Sequence, residues 1–106
     1  IASWYASNWL GYFYQADNGW CYHFELGWIY PTVQSDGSIW AWSPQLEWIW
    51  IDQSSYSNFF IWSLDDNNWL FFDFDSSAGP RIYKYLTEEW SSFDRDAAID
   101  PVDSVF

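Results

Sequence analysis

The sequence predicts an all-β fold, an antiparallel meander of about seven or eight short strands built from hairpin repeats of roughly twenty residues. Three observations predict it. Trp9, Trp28, Trp48, Trp69 and Trp90 follow one another at intervals of 19, 20, 21 and 21 residues. Trp20, Trp40, Trp62 and Tyr83 form a second series at 20, 22 and 21. Two interleaved series with one period describe a repeated unit with two arms. Within the arms, Trp40/Trp42 and Trp48/Trp50 recur at every second residue, the period of a strand and not of a helix.

Taken in chain order, Trp20-Cys21-Tyr22-His23-Phe24 pairs with Trp28-Ile29-Tyr30 across Glu25-Leu26-Gly27. Ile39 to Ser43 pairs with Trp48 to Asp52 across Pro44-Gln45-Leu46-Glu47, and Phe59 to Leu64 pairs with Trp69 to Asp75 across Asp65-Asp66-Asn67-Asn68. Asp17-Asn18-Gly19 and Ser35-Asp36-Gly37-Ser38 join successive units, because Asn-Gly and Asp-Gly pairs supply the positive φ of tight turns. No helix is expected before residue 86. Arg81 to Phe93 reads as a last, degenerate hairpin, the competing reading being a helical turn capped by Thr87. The domain organisation is thus a hairpin-repeat β domain over residues 1–93 and an acidic, Pro-interrupted C-terminal arm over 94–106. The start at Ile1, without an initiator Met or an apolar leader, reads as a mature form or an excised segment.

Successive strand residues point to opposite faces. One face collects Trp20, Tyr22, Phe24, Trp28, Tyr30, Trp40, Trp42, Trp48, Trp50, Phe60, Trp62, Trp69 and Phe71. The other collects Cys21, His23, Ile29, Ile39, Ala41, Ile49, Ile51, Phe59, Ile61, Leu70, Phe72 and Phe74. A sheet with one wet side alternates apolar with polar; here both sides are apolar, so both need cover. The sheet can fold over itself as a sandwich or small barrel, stack as a solenoid, or be covered by other copies. An outer-membrane barrel does not fit, since the arms are short and the would-be lumen face is aliphatic.

Composition narrows the function classes. The 106 residues include 11 Trp, 8 Tyr and 9 Phe, which is 26% of the chain. Folding hides roughly 12,000 Å² in a chain of this mass, and these rings alone would supply about 5,600 Å². Hiding them all therefore takes two apolar layers. Fifteen Asp and Glu against three Lys and Arg give a net charge of −12, which repels polyanions, so no nucleic-acid partner is expected. No apolar run is long enough for a transmembrane segment. A single Cys and a single His exclude an intrachain disulfide and a zinc site made of several Cys and His, and no cofactor is expected.

Candidate sites follow from residue types. Cys21 reads as a small buried hydrophobe, with an intermolecular disulfide left open. His23 reads as a packed, hydrogen-bonded residue, with no nucleophile-elbow motif to support a catalytic triad. Asp65, Asp66, Asp73 and Asp75 are weak calcium candidates, because hard cations take carboxylate oxygens; paired carboxylates also serve glycoside hydrolysis. The same residues also read as solvated turns that keep an aromatic surface soluble. The aromatic ladder is the main candidate. Trp20, Trp28, Trp40, Trp42, Trp48, Trp50, Trp62 and Trp69 can stack on sugar rings, cage a quaternary ammonium, or bind other copies of the chain.

The segments Trp9–Tyr14, Gly19–Tyr30 and Trp40–Trp50 resemble a Trp-rich hairpin module of predicted secreted and surface proteins of environmental bacteria. More loosely, the period and the Gly-Trp and Asp-Gly-Ser elements are similar to choline-binding and glucan-binding cell-wall repeats. The first resemblance implies an extracellular or cell-surface location; the second implies hairpin stacks whose aromatics hold choline or sugar. The expectation is a non-enzymatic structural or adhesive protein that self-associates through its aromatic faces and sheet edges as a homo-oligomer or filament, such as a fibre or surface-layer subunit. The alternative is a carbohydrate- or choline-binding module whose partner is a cell-surface glycan.

Overall fold

The computed structural model describes residues 3–96. The strands are β1 (Ser3–Ser7), β2 (Gly11–Gln15), β3 (Cys21–His23), β4 (Gly27–Val33), β5 (Ile39–Ser43), β6 (Glu47–Ile51), β7 (Phe60–Ser63), β8 (Asn68–Asp73), β9 (Arg81–Lys84) and β10 (Glu89–Ser92). They form one antiparallel sheet in simple chain order from β1 to β10. The meander is as the repeat predicts, but with ten strands rather than seven or eight. The difference lies at the start, where β1–β2 is a further hairpin with Trp4 opposite Tyr14; β9–β10 is the last hairpin expected, with Trp90 opposite Tyr83. Arg81 to Phe93 is therefore a hairpin, not a helical turn.

The hairpin tips share one local design. The hydroxyls of Ser7, Ser43 and Ser63 accept from the backbone N–H groups of Leu10, Leu46 and Asp66 at 3.1–3.2 Å. At the same place in β3–β4, His23 Nδ1 accepts from the Leu26 N–H at 3.1 Å. These bonds satisfy turn donors that no ladder partner reaches. Each tip then closes on a left-handed residue, which is Gly11, Gly27, Glu47, Asn67 or Glu88. Gly27 is also where the chain after β10 passes closest, since a Cβ there would collide with the Arg95 carbonyl.

One element departs from the expectation of no early helix. Residues Gln53–Ser57 form a helical turn, α1, between β6 and β7. Its start is a reciprocal cap: the Asp52 carboxylate accepts from the Ser55 N–H at 2.8 Å, and the Ser55 hydroxyl accepts from the Asp52 N–H at 3.1 Å. A segment this short shows no 3.6-residue apolar period, which is why the pattern hides it. Its one buried residue, Tyr56, faces the core. The turn also interrupts alternation, so Phe59, assigned by period to the aliphatic set, adopts φ 70° and lies exposed.

The aliphatic face is the core. Ile29, Ile39, Ala41, Ile49, Ile51, Ile61, Leu70, Phe72 and Ile82 are buried on it, with Leu10, Leu26, Tyr56 and Phe93 closing its margins. A curved sheet has less area per residue on its concave side. That side takes Ala41, Ser43, Ser63 and the branched aliphatics, while the indoles occupy the roomier convex side. The curl is visible in contacts between distant elements. The β3–β4 tip meets α1, where the Tyr56 hydroxyl donates to Glu25 at 2.7 Å and the Tyr56 ring lies edge-on to His23 at 5.9 Å. Arg95 then donates to the Phe24 carbonyl oxygen at 3.0 Å, and Gln45 bonds with the backbone of Asp94. Within the C-terminal arm, residues 94–96 thus lie against the β3–β4 and β5–β6 tips. The rest of that arm lies outside the described residues.

Candidate functional site

With the aliphatic face inside, the aromatic face is the outer surface of the sheet. Strand register places its rings in rows across the chain: Tyr30, Trp42 and Trp48 stand opposite one another in turn, as do Trp40, Trp50, Trp62 and Trp69, and then Phe60, Phe71, Tyr83 and Trp90. Ring centroids are 5.6 Å apart for Trp42–Trp48, 5.3 Å for Trp62–Trp69 and 5.4 Å for Tyr22–Trp28, each pair edge-to-face. That geometry sets the positive rim of one ring against the negative face of the next and adds about 0.5–1.5 kcal/mol per pair beyond area burial. The rows are half-buried by their own members, and Trp4, Tyr30, Trp48 and Trp90 remain exposed.

Of the eight Trp residues nominated by the sequence, Trp40, Trp42, Trp48, Trp50, Trp62 and Trp69 fall into these adjoining rows, and Trp28 pairs with Tyr22 further along the same side. Trp20 differs. It is buried, with the Tyr30 ring edge-on at 5.5 Å, so it packs the surface without being available on it.

A groove of about 900 Å³ opens in this outer face beside α1. Trp50, Phe60, Trp69 and Tyr85 supply its aromatic lining, and Asp52, Ser54, Ser55, Asn58 and Asn68 its polar lining. The rings touch each other: Trp50–Trp69 at 6.3 Å, Phe60–Trp69 at 6.1 Å and Phe60–Tyr85 at 6.4 Å. Phe60 and Tyr85 lie near-parallel, 29° apart, whereas Trp69 stands at 70° to Phe60 and 65° to Trp50, so the pair makes a floor and the indoles a wall. The polar groups are held by local bonds that leave valences open. Asn58 donates Nδ2 to the Ser54 carbonyl at 2.8 Å, and Asn68 accepts at Oδ1 from the Trp69 N–H at 2.8 Å. Sequence reasoning reached Trp50 and Trp69 but not the polar partners, because those sit in and around the unforeseen α1 and at the start of β8.

The four Asp residues considered for calcium are not gathered into one ligand set. Asp66 lies 3.9 Å from the Lys84 ammonium and Asp73 lies 3.9 Å from Arg81, whose guanidinium also covers the Trp90 ring at 4.2 Å. Asp65 and Asp75 are exposed turn residues. Among the described residues no three metal-ligating side chains come together. His23 is fully buried and bonded at both ring nitrogens, to the Leu10 carbonyl through Nε2 and to the turn N–H groups through Nδ1. Burial pushes its pKa down to about 4. It holds a hairpin in place and meets no solvent. Burial also pushes the Cys21 thiol up.

No family model, curated protein or solved structure matches this chain.

Proposed function

We propose that this chain is an extracellular structural or adhesive protein that self-associates, as a fibre or surface-layer subunit, through its outer aromatic face and its free sheet edges. One observation carries the reading. The core is closed by the aliphatic face alone, so the aromatic rows on the other side of the same strands still face water. Contiguous exposed apolar surface of this kind marks interaction sites.

Topology supports the same reading. The strand order is open, with β1 at one edge and β10 at the other. In a meander of ten strands the first and last run in opposite directions. A β10 edge therefore meets the β1 edge of a second copy antiparallel, with each aromatic face continuing the other. That contact is head-to-tail, the kind that builds a filament when the rotation between copies does not close a ring. The extracellular location rests on the resemblance to secreted hairpin modules and on the acidic, Met-free composition. A binding role in place of a catalytic one is supported by the sealed environment of His23, the only imidazole.

Size exclusion with light scattering, and electron microscopy, test the proposal at tens of micromolar. The expected result is concentration-dependent association that Tyr5→Lys on β1 suppresses, because a charge on an edge strand opposes edge pairing. A strictly monomeric protein across that range ends the reading.

A further inference from the structure

We propose that the groove beside α1 binds a neutral saccharide, with a pyranose ring lying on the near-parallel Phe60–Tyr85 pair beside the upright Trp69 ring and its hydroxyls taken by Asn58, Asn68, Ser54 and Asp52. The groove and a pyranose have complementary surfaces. A pyranose presents a flat face of C–H groups and a rim of hydroxyls, each able to donate and accept. The groove presents a floor made by the near-parallel Phe60 and Tyr85 rings, with polar side chains beside it. Sites for ligands of this class combine mostly apolar lining with a few placed polar groups in about 300–1,000 Å³, and a groove of about 900 Å³ has room for more than one sugar ring.

Open valences on those polar side chains point the same way. The Asn58 side-chain carbonyl and the Asn68 side-chain NH2 make no bond within the described chain, while the other half of each amide is fixed to the backbone. Ser54 has an unengaged hydroxyl on the same wall, and Asp52 spends one carboxylate oxygen on its cap. The wall therefore offers both donors and acceptors, already oriented, which is what a vicinal diol requires.

Charge and hydrogen-bonding capacity choose among ligands. No Lys or Arg lines the groove and Asp52 is its one charged residue, so sulfated or uronic sugars are disfavoured. A quaternary ammonium carries no N–H on its charged centre for the Asn58, Asn68 and Ser54 wall to engage, so that wall matches a sugar's hydroxyls better than a methylated cation. The saccharide site is independent of self-association through β1 and β10.

Isothermal titration and Trp fluorescence with cellotetraose, laminaritetraose, chitotetraose and mannotetraose, against tetramethylammonium chloride, test the site. The expected result is saturable binding of at least one tetrasaccharide, weakened roughly tenfold or more by Tyr85→Ala and by Asn58→Ala. Val33→Ser, at an exposed position outside the groove, leaves the affinity unchanged. Near-UV circular dichroism of each variant separates lost binding from lost folding, and Asn58→Asp provides a second variant that keeps the size of the side chain. No binding of any tetrasaccharide up to about 10 mM, binding indifferent to both groove variants, or tighter binding of tetramethylammonium overturns the proposal. Sedimentation without sugar reads self-association separately, so either proposal can fail alone.

Discussion

His23 ties two hairpins together through Leu10: its Nε2 donates to the Leu10 carbonyl oxygen, while its Nδ1 accepts from the N–H groups of Glu25 and Leu26. Those two N–H groups fix the tautomer, since a nitrogen facing donors has to be the unprotonated one. The ring is thus held neutral by geometry as well as by burial. In three other hairpin tips Ser7, Ser43 or Ser63 fills the acceptor role at the same position, but a hydroxyl is too short to reach a second hairpin. The larger side chain adds a cross-link between β1–β2 and β3–β4 at the margin of the core.

Stability is expected to fall in mild acid because of this one residue. An unfolded chain binds a proton at His23 below about pH 6.5, whereas the folded chain resists it until about 4. The contribution is complete above 6.5 and is lost as pH falls through 4, by about 3 kcal/mol in all. Protonation would turn Nδ1 into a donor facing two other donors. Urea unfolding of the wild type and of His23→Ser at pH 7, 5.5 and 4.5 checks this. The variant is expected to be less stable at pH 7 and to lack the added slope between 6.5 and 4. Equal slopes would mean that carboxylates carry the acid response.

The hairpin tips offer a gain rather than a loss. Glu47 and Glu88 occupy left-handed conformations, at φ 62° and 56°, where Gly11 and Gly27 stand in the first two tips. A residue with a Cβ loses roughly 1–2 kcal/mol there relative to the right-handed region. Glu47→Gly and Glu88→Gly are therefore each expected to stabilise by about 0.5–1 kcal/mol, after the extra freedom of glycine in the unfolded chain is deducted. Gly27→Ala is expected to cost more than Gly11→Ala. Its new Cβ meets backbone, the Arg95 carbonyl, whereas at Gly11 it meets the movable ring of Phe24. Denaturant midpoints order the four variants.

The Cys21 thiol is expected to stay inert in the folded protein. It is buried on the concave face, and burial holds it in the protonated, unreactive form. The intermolecular disulfide that the sequence leaves open would need this side chain at the surface. A thiol reagent such as Ellman's is expected to react only at the rate of unfolding, and complete reaction without denaturant would contradict the placement. Assembly, on this account, is independent of reducing agent.

What the sequence reveals and what it hides have different physical origins. The hairpins around Trp40/Trp48 and Trp62/Trp69 are legible because strand period, turn composition and repeat spacing coincide in them. The division of side chains into two faces is legible for the same reason. Which face turns inward is not, since both are apolar; curvature decides it, and curvature is a property of the whole sheet. Tyr85, Asn58 and Asn68 are unreadable as groove residues for a related reason. Asn58 follows α1, Asn68 starts β8 and Tyr85 follows β9, and only the folding of β6 to β9 side by side brings them to Trp69. α1 left a trace in Asp52-Gln53-Ser54-Ser55, a capping pattern without the apolar run that normally follows it.

The two faces make opposite predictions under truncation. Ile49 is completely buried at the centre of the concave side, and its replacement leaves a hole that rigid neighbouring strands cannot fill. Ile49→Ala is expected to cost about 2–4 kcal/mol. Trp48, its immediate neighbour on the convex side, is a far larger side chain but stands 42% exposed with one ring partner, Trp42. Trp48→Ala is expected to cost about 1 kcal/mol, the edge-to-face pair plus a part of the ring's burial. If the aromatic side were the core, the order would reverse and Trp48→Ala would unfold the domain. Chemical denaturation of the two variants, done dilute so that association does not mask the folded state, distinguishes the cases. The same pair separates folding from assembly: Ile49→Ala weakens the fold, whereas Trp48→Ala removes surface that the association proposal requires.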